Sequence, residues 1–347
     1  MAAPANSRST SATQSPLLTS LLRDVSRSFY LTMRMLPVAI RPQISLAYLL
    51  ARATDTIADT ELIPFEERLS SLELLRARIL GTREIPLNFG KLADHQGNPA
   101  EQVLLRRVEE ALAVLAQFSY SDRQRVREVM DTITTGQTLD LTRFHQRESS
   151  ELIALATDEE LDDYTYRVAG CVGEFWTKIC RSHLFPKASL DDATLLANGI
   201  RFGKGLQLVN ILRDLPRDLA QGRCYIPMSK LDAIGLRPPD LLDPAMESAF
   251  RALYHGYLDQ AAAHLAAGWE YTSTLPWRFV RLRLACSWPV LIGDGTIVKL
   301  RRANILDTQT RVKVTRAEVY SMIVQSILRY PFPSAWRRLP FCVQSSK

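Results

Sequence analysis

The sequence predicts an all-α fold, on three observations. Apolar residues recur at intervals of three and four through most of the chain. Gly and Pro cluster in two loop-like stretches, 81–99 and 219–240. A single run, Gly295-Thr-Ile-Val-Lys-Leu-Arg301, reads as a strand.

Taken in order, helices are expected over 17–34 and 42–59. Pro64, with Glu66 and Glu67 in a first turn, opens a third that carries Leu69, Leu72, Leu75 and Ile79. Val103, Leu104, Val108, Leu112 and Leu115 mark a fourth. Val126, Val129, Met130, Ile133 and Leu139 mark a long fifth, with Gly136 as a close-packing point. Further helices fit 158–182, 189–214, 243–275 and 315–329. No fixed-period repeat appears and no linker divides the chain. The expected organisation is one all-α domain over 17–330, between a flexible tail (1–16) and a C-terminal tail without a membrane anchor (331–347).

The composition of the 347 residues, 46% hydrophobic and 23% charged, excludes disorder, a collagen-like repeat and a disulfide scaffold. Cys171, Cys180, Cys224, Cys286 and Cys342 are odd in number and hold no Cys-x-x-Cys pair, which reads as buried free thiols in a reducing, cytoplasmic setting. The five histidines show no metal-ligand spacing. No apolar run reaches the ~18–20 residues a bilayer span needs. The net charge is +6, and 277–316 is strongly basic: Arg278, Arg281, Arg283, Lys299, Arg301, Arg302, Arg311, Lys313 and Arg316 stand against Asp294 and Asp307. A solvated basic face, a phosphate site and attraction to anionic lipid all fit that window.

Two carboxylate pairs carry the chemistry. Asp55 and Asp59 are four apart on one helical face, with Arg52 one turn earlier among apolar neighbours. Gln207, Asn210, Asp214 and Asp218 follow at i+3, i+4 and i+4, a polar face on a helix otherwise built from Leu206, Leu208, Val209, Ile211 and Leu212. Pro216 is expected to kink or end that helix. Carboxylates on buried helices need a compensating cation, and hard oxygen donors select Mg²⁺. Mg²⁺ bridges carboxylates to phosphates, so a diphosphate substrate is expected, gripped by Arg52, Arg213 and Arg223. With no Walker loop and no nucleotide-type sheet, an organic diphosphate that ionises to a carbocation suits the pattern.

These residues sit in four ordered motifs: Ser26-Arg27-Ser28-Phe29, the Asp55/Asp59 segment, Tyr164-Thr-Tyr166-Arg-Val-Ala-Gly170-Cys-Val-Gly173, and Gly203 through Asp218 to Gly222-Arg223-Cys-Tyr225-Ile-Pro227. In them the chain resembles the head-to-head prenyl synthases, the squalene, dehydrosqualene and phytoene synthases, from about Ser26 to Tyr330. The resemblance implies an isoprenoid-synthase helical fold with a central cavity and Mg²⁺-dependent condensation of two farnesyl diphosphates to presqualene diphosphate. It assigns the metal to Asp55, Asp59, Asp214 and Asp218, the proton-abstracting base to Tyr166 or Tyr164, and ordering of the phosphate region to Tyr48. Ser26, Arg27, Ser28, Phe29, Gln207 and Asn210 become substrate ligands beside the three arginines. Lys299 and Arg301, alternating on one side of the extended run, resemble the pair with which squalene synthases hold NADPH, which implies reduction to squalene. Dehydrosqualene or phytoene synthesis, without a hydride step, is the nearest alternative. A non-catalytic basic protein binding membrane or nucleic acid is the more distant one, and it leaves the aspartates unexplained. A monomer that associates peripherally with membranes and binds no nucleic acid is expected.

Overall fold

Helices account for nearly all regular structure. The computed structural model describes residues 20–26, 29–60, 62–145, 152–308 and 312–339. They fall into two compact units, with the boundary after Thr134.

In the first unit, α1 (Ser20–Ser26) and α2 (Phe29–Met35) lead into α3 (Arg41–Asp59), followed by α4 (Phe65–Leu80), α5 (Gly90–Asp94), α6 (Pro99–Arg106) and α7 (Val108–Ala116). α3 is the core element. Leu46, Leu49, Leu50, Ala53 and Ile57 are fully buried, and the helix packs on α4, α6 and α7. The single helix expected over 103–115 is broken at Arg107, whose backbone caps α6 and opens α7. α8 (Tyr120–His145) carries the boundary between the units within its length.

The second unit is built around α11 (Asp192–Ala220). It packs against α9 (Asp158–Thr165), a π-helical turn (Tyr166–Gly170), α10 (Cys171–His183), α13 (Glu247–Thr274) and α14 (Val280–Leu300). Among the described residues, the short α12 (Met228–Asp232), two 3-10 turns (Pro238–Leu242 and Pro244–Met246), α15 (Arg316–Arg329) and α16 (Pro333–Arg337) add to it, with a parallel pair, β1 (Ile153–Ala154) on β2 (Arg223–Cys224). Close approach of α10 to α11 depends on glycine: a methyl on Gly173 would stand 1.9 Å from the Gly199 carbonyl oxygen. The small residues of the 164–173 motif thus bring two backbones into contact.

Two expectations are corrected. Residues 295–301 are the end of α14 and its C-cap, not a strand. Ile297 and Val298 favour extended backbone locally, but Leu282, Leu284, Val290, Leu291, Ile297 and Leu300 bury several sides of a long helix, and packing overrides propensity. Of the kink or end expected at Pro216, the end is not observed, and no carbonyl is left stranded. The helix runs on to Ala220, and the Leu212 carbonyl, which Pro216 cannot reach for lack of an N–H, accepts the Tyr254 hydroxyl at 3.1 Å.

Cys171, Cys180, Cys224 and Cys286 are buried free thiols; Cys342 lies outside the described residues. No described helix is long and apolar enough to cross a membrane.

Candidate active site

In the first unit the sequence-predicted residues sit on or before α3. Tyr48, Arg52 and Asp55 are half-buried, and Asp59 is exposed at the last position of the helix. Arg52 donates to Glu101 at the start of α6. Burial works against the charge of its guanidinium, but that bond and the nearby charges of Glu101 and Asp55 outweigh it and hold the group above its usual range. Glu101 therefore occupies part of the fork expected to meet phosphate. The Ser26 hydroxyl is buried and lacks a partner among the described residues. Arg27 and Ser28 lie outside the described residues, and of Phe29 only the backbone is described, as the first residue of α2.

The second unit places Asp214 and Asp218, with Arg213, Arg223 and Tyr164, at the C-terminal half of α11 and the turn beyond it. Asp191 starts this helix by accepting the backbone N–H groups of Ala193 and Thr194. Gly222, at φ 77°, supplies the left-handed turn that reverses the chain into β2. The β1–β2 pairing, Ile153 with Arg223 and Ala154 with Cys224, then fixes Arg223 and Tyr225 beside the helix end.

There Arg213 holds both oxygens of Asp214, at 2.9 and 2.6 Å. Burial, then the charge of Asp214, pushes the Asp218 carboxyl up to about 7, against the pull of Arg223 and Arg217. Asp140 adds to that push. This aspartate, on α8, was not singled out by the sequence, where it reads as one polar residue in Thr138-Leu-Asp140-Leu. In the fold it accepts the Tyr225 hydroxyl at 3.0 and 3.1 Å and lies 3.6 Å from Arg223. Tyr225 stacks on Tyr164 with ring centroids 4.8 Å apart, and the Tyr164 hydroxyl donates to that of Tyr225 at 3.3 Å. Burial first, and then Asp140, holds the Tyr164 phenol well above its usual range.

Tyr166 is placed differently. Its hydroxyl donates to Glu174 at 2.9 Å, and burial followed by that bond pushes the phenol up to about 12. The π turn that begins at Tyr166 separates the surroundings of the two tyrosines. Gln207 is half-buried and Asn210 exposed on α11.

Lys299 and Arg301 do not form the expected pair. On helical backbone residues two apart point to different sides. Lys299 donates to Glu318 at 2.7 Å and to the Lys313 carbonyl at 3.1 Å, and Arg301 pairs with Asp259 at 2.5 Å. Nor is the basic window one solvated face. Arg283 is buried, donating to the Ser273 and Leu275 carbonyls at 2.8 and 2.5 Å and lying 4.5 Å from the Trp277 ring centroid.

The donor set suits Mg²⁺. Asp214 and Asp218 offer hard oxygens four residues apart on α11, and a bound cation would offset the burial and the neighbouring Asp214 charge that disfavour the ionised form of Asp218. Among the described residues no three His, Cys, Asp or Glu side chains converge as a closed metal cage. Mg²⁺ ordinarily takes one or two carboxylates and completes its shell with water and substrate phosphate.

A family model described as squalene/phytoene synthase matches residues 22–318. Over 258 residues the chain is 30% identical to a presqualene diphosphate synthase of Sinorhizobium fredii, an alignment covering 73% of this chain and 77% of that protein. It is 29% identical over 246 residues to a bifunctional lycopene cyclase/phytoene synthase of Gibberella fujikuroi, covering 70% of this chain but only 40% of that longer protein. Among solved structures, TcSQS in complex with a ligand superposes with a TM-score of 0.72 at 19% identity, covering 96% of this chain and 94% of the other. That likeness establishes an all-helical isoprenoid-synthase fold. With the family match running through both units and all four motifs, the chain belongs to the squalene/phytoene synthase family.

Proposed function

We propose that this chain is a head-to-head prenyltransferase that condenses two farnesyl diphosphates to presqualene diphosphate. One observation carries the reading: Asp140, Asp214, Asp218, Arg213, Arg223, Tyr164 and Tyr225 form one acid–arginine–phenol cluster, built largely from the motifs that place the chain in its family.

Asp55 and Asp59 on α3, and Asp214 and Asp218 on α11, are proposed to hold Mg²⁺. When bound, it stabilises the charge that develops on the leaving diphosphate. Arg52, Arg213 and Arg223 take diphosphate oxygens, exchanging their present carboxylate partners for phosphate. By the family resemblance, Ser26, Arg27, Ser28, Phe29, Gln207 and Asn210 are proposed as substrate ligands, and Tyr48 as the residue that orders the phosphate region. After the second alkene attacks the allylic cation, a proton must leave so that the cyclopropane can close. Tyr164 is the favoured acceptor, because its hydroxyl is the outer member of a relay. As its oxygen takes the substrate proton, its own passes to Tyr225 and that of Tyr225 to Asp140. Tyr166, bound to Glu174, remains the alternative base.

Reduction of presqualene diphosphate to squalene by NADPH rested on an extended Lys299/Arg301 pair. Both residues are engaged in ion pairs at a helix end, so presqualene diphosphate is the favoured product. Incubation of the pure protein with farnesyl or geranylgeranyl diphosphate and Mg²⁺, with and without NADPH, tests the proposal. Mg²⁺-dependent release of diphosphate with accumulation of presqualene diphosphate is expected. Squalene formed only with NADPH would restore the reductive step, and phytoene from the longer substrate would reassign chain length. Absence of diphosphate release from either substrate would overturn the catalytic reading.

A further inference from the structure

α15 turns an apolar stripe away from the protein. Tyr320, Val324, Ile327 and Leu328 are 61, 53, 48 and 66% exposed, and Phe332, just past the helix, is 62% exposed. Their spacing of i, i+4, i+7 and i+8 covers an arc about 100° wide, the width with which a helix usually faces a core. Yet the opposite side of α15 is the packed one. Ser326 is buried and accepts the Trp288 indole N–H at 3.0 Å. Met322 lies against Gly295, where a methyl would meet its Cε at 2.7 Å. Just beyond the helix, Tyr330 donates to the Trp277 carbonyl at 2.5 Å. The helix is therefore docked by one side and carries a second, outward apolar face.

Charge selects the partner. Between 312 and 339 the cations are Lys313, Arg316, Arg329, Arg337 and Arg338, and the sole acid is Glu318. That acid is already committed: it accepts Lys299 at 2.7 Å and caps α15 through the N–H and hydroxyl of Thr315 at 2.7 and 2.8 Å. Trp277, 40% exposed, stacks on Tyr330 at 4.4 Å and continues the surface toward the exposed Arg278 and Arg281. An apolar stripe with an aromatic at each end and cations around it matches the boundary between anionic headgroups and acyl chains.

We propose that the outer face of α15, extended by Phe332, is an interfacial docking surface for an anionic lipid bilayer. The stripe enters the acyl boundary, and Arg316, Arg337 and Arg338 meet the headgroups. This inference is independent of the catalytic reading, since its readout is binding to substrate-free vesicles.

The test is flotation of the full chain with vesicles of phosphatidylcholine alone or mixed with phosphatidylglycerol, at low and high salt. Binding to the anionic vesicles only, weakened by salt, is expected. Val324→Glu with Leu328→Glu should lower it by roughly tenfold or more while leaving circular dichroism unchanged, since both side chains are exposed. Tyr320→Trp should shift its emission to the blue on anionic vesicles. Equal binding to neutral vesicles, or flotation untouched by the double variant, would overturn the proposal. So would a wild-type dimer that the double variant dissociates without any vesicle binding, which would assign the stripe to a second copy of the chain.

Discussion

Replacing Tyr254 by Phe removes one oxygen atom, and the structure fixes what that costs. Pro216 lies inside α11 and has no N–H, so the Leu212 carbonyl has lost its ordinary helical donor. The Tyr254 hydroxyl supplies the substitute at 3.1 Å. Leu212 is fully buried and Tyr254 only 2% exposed, so water has little access to the acceptor. A buried carbonyl left without a donor costs about 1–3 kcal/mol, whereas the retained phenyl ring preserves the packing. Urea unfolding followed by circular dichroism should show that loss for Tyr254→Phe. Pro216→Ala in the same background returns an N–H one turn after Leu212, and should recover at least about 1 kcal/mol as a coupling term in the double-mutant cycle. An equal cost of Tyr254→Phe with Pro216 retained and with Pro216→Ala introduced would refute the reasoning, because the hydroxyl would then not be standing in for the missing amide. So would a cost below about 0.5 kcal/mol, which is within the range of an unremarkable substitution.

Gly173→Ala should destabilise by about 1–3 kcal/mol or more, because its methyl would lie 1.9 Å from the Gly199 oxygen, while Gly256→Ala, with nothing within 4 Å, should be neutral or stabilising in the same thermal melts. Burial, then Arg201 and Lys204, pushes the His264 imidazole down to about 4. Between the ordinary value near 6.5 and that value the unfolded chain binds the proton and the folded chain does not, so stability should fall on acidification through this window. His264→Gln should flatten the fall in urea titrations at stepped pH, and an unchanged slope would place the acid sensitivity elsewhere. Asp55→Asn, Asp140→Asn and Asp218→Asn should each abolish or greatly reduce Mg²⁺-dependent diphosphate release with circular dichroism retained; wild-type rates would remove the residue concerned from the metal site or the relay. Lys299→Ala with Arg301→Ala should leave the product distribution unchanged and cost only ~0–1 kcal/mol per exposed pair, whereas a stall at presqualene diphosphate in an enzyme that otherwise makes squalene would return both residues to cofactor binding.

Helical periodicity by itself determined most of the architecture. The expected segments 42–59, 158–182, 243–275 and 315–329 correspond closely to α3, the run from α9 to α10, α13 and α15. They were legible because burying one side of a helix writes a repeat of three and four into the chain. The grouping of Gln207, Asn210, Asp214 and Asp218 was equally local, since residues three and four apart share a face wherever the helix goes. The four motifs also carried the family, because each is a contiguous string.

Other features were decided only by tertiary contacts. Asp140 joins the cluster because Tyr225 and Arg223 reach it across more than eighty residues of sequence, which no spacing rule encodes. Helix α14 prevails over the β-branched Ile297 and Val298 because burial on several sides outweighs a local preference of a few tenths of a kcal/mol per residue. Pro216 is tolerated because a tyrosine from α13 provides the missing donor. Lys299, Arg301 and Arg283 resembled a basic face in the sequence, yet each is engaged by acids, carbonyls or rings from elsewhere in the chain. Charge and residue type are written in the sequence, but the partner that neutralises a charge is chosen when distant segments meet.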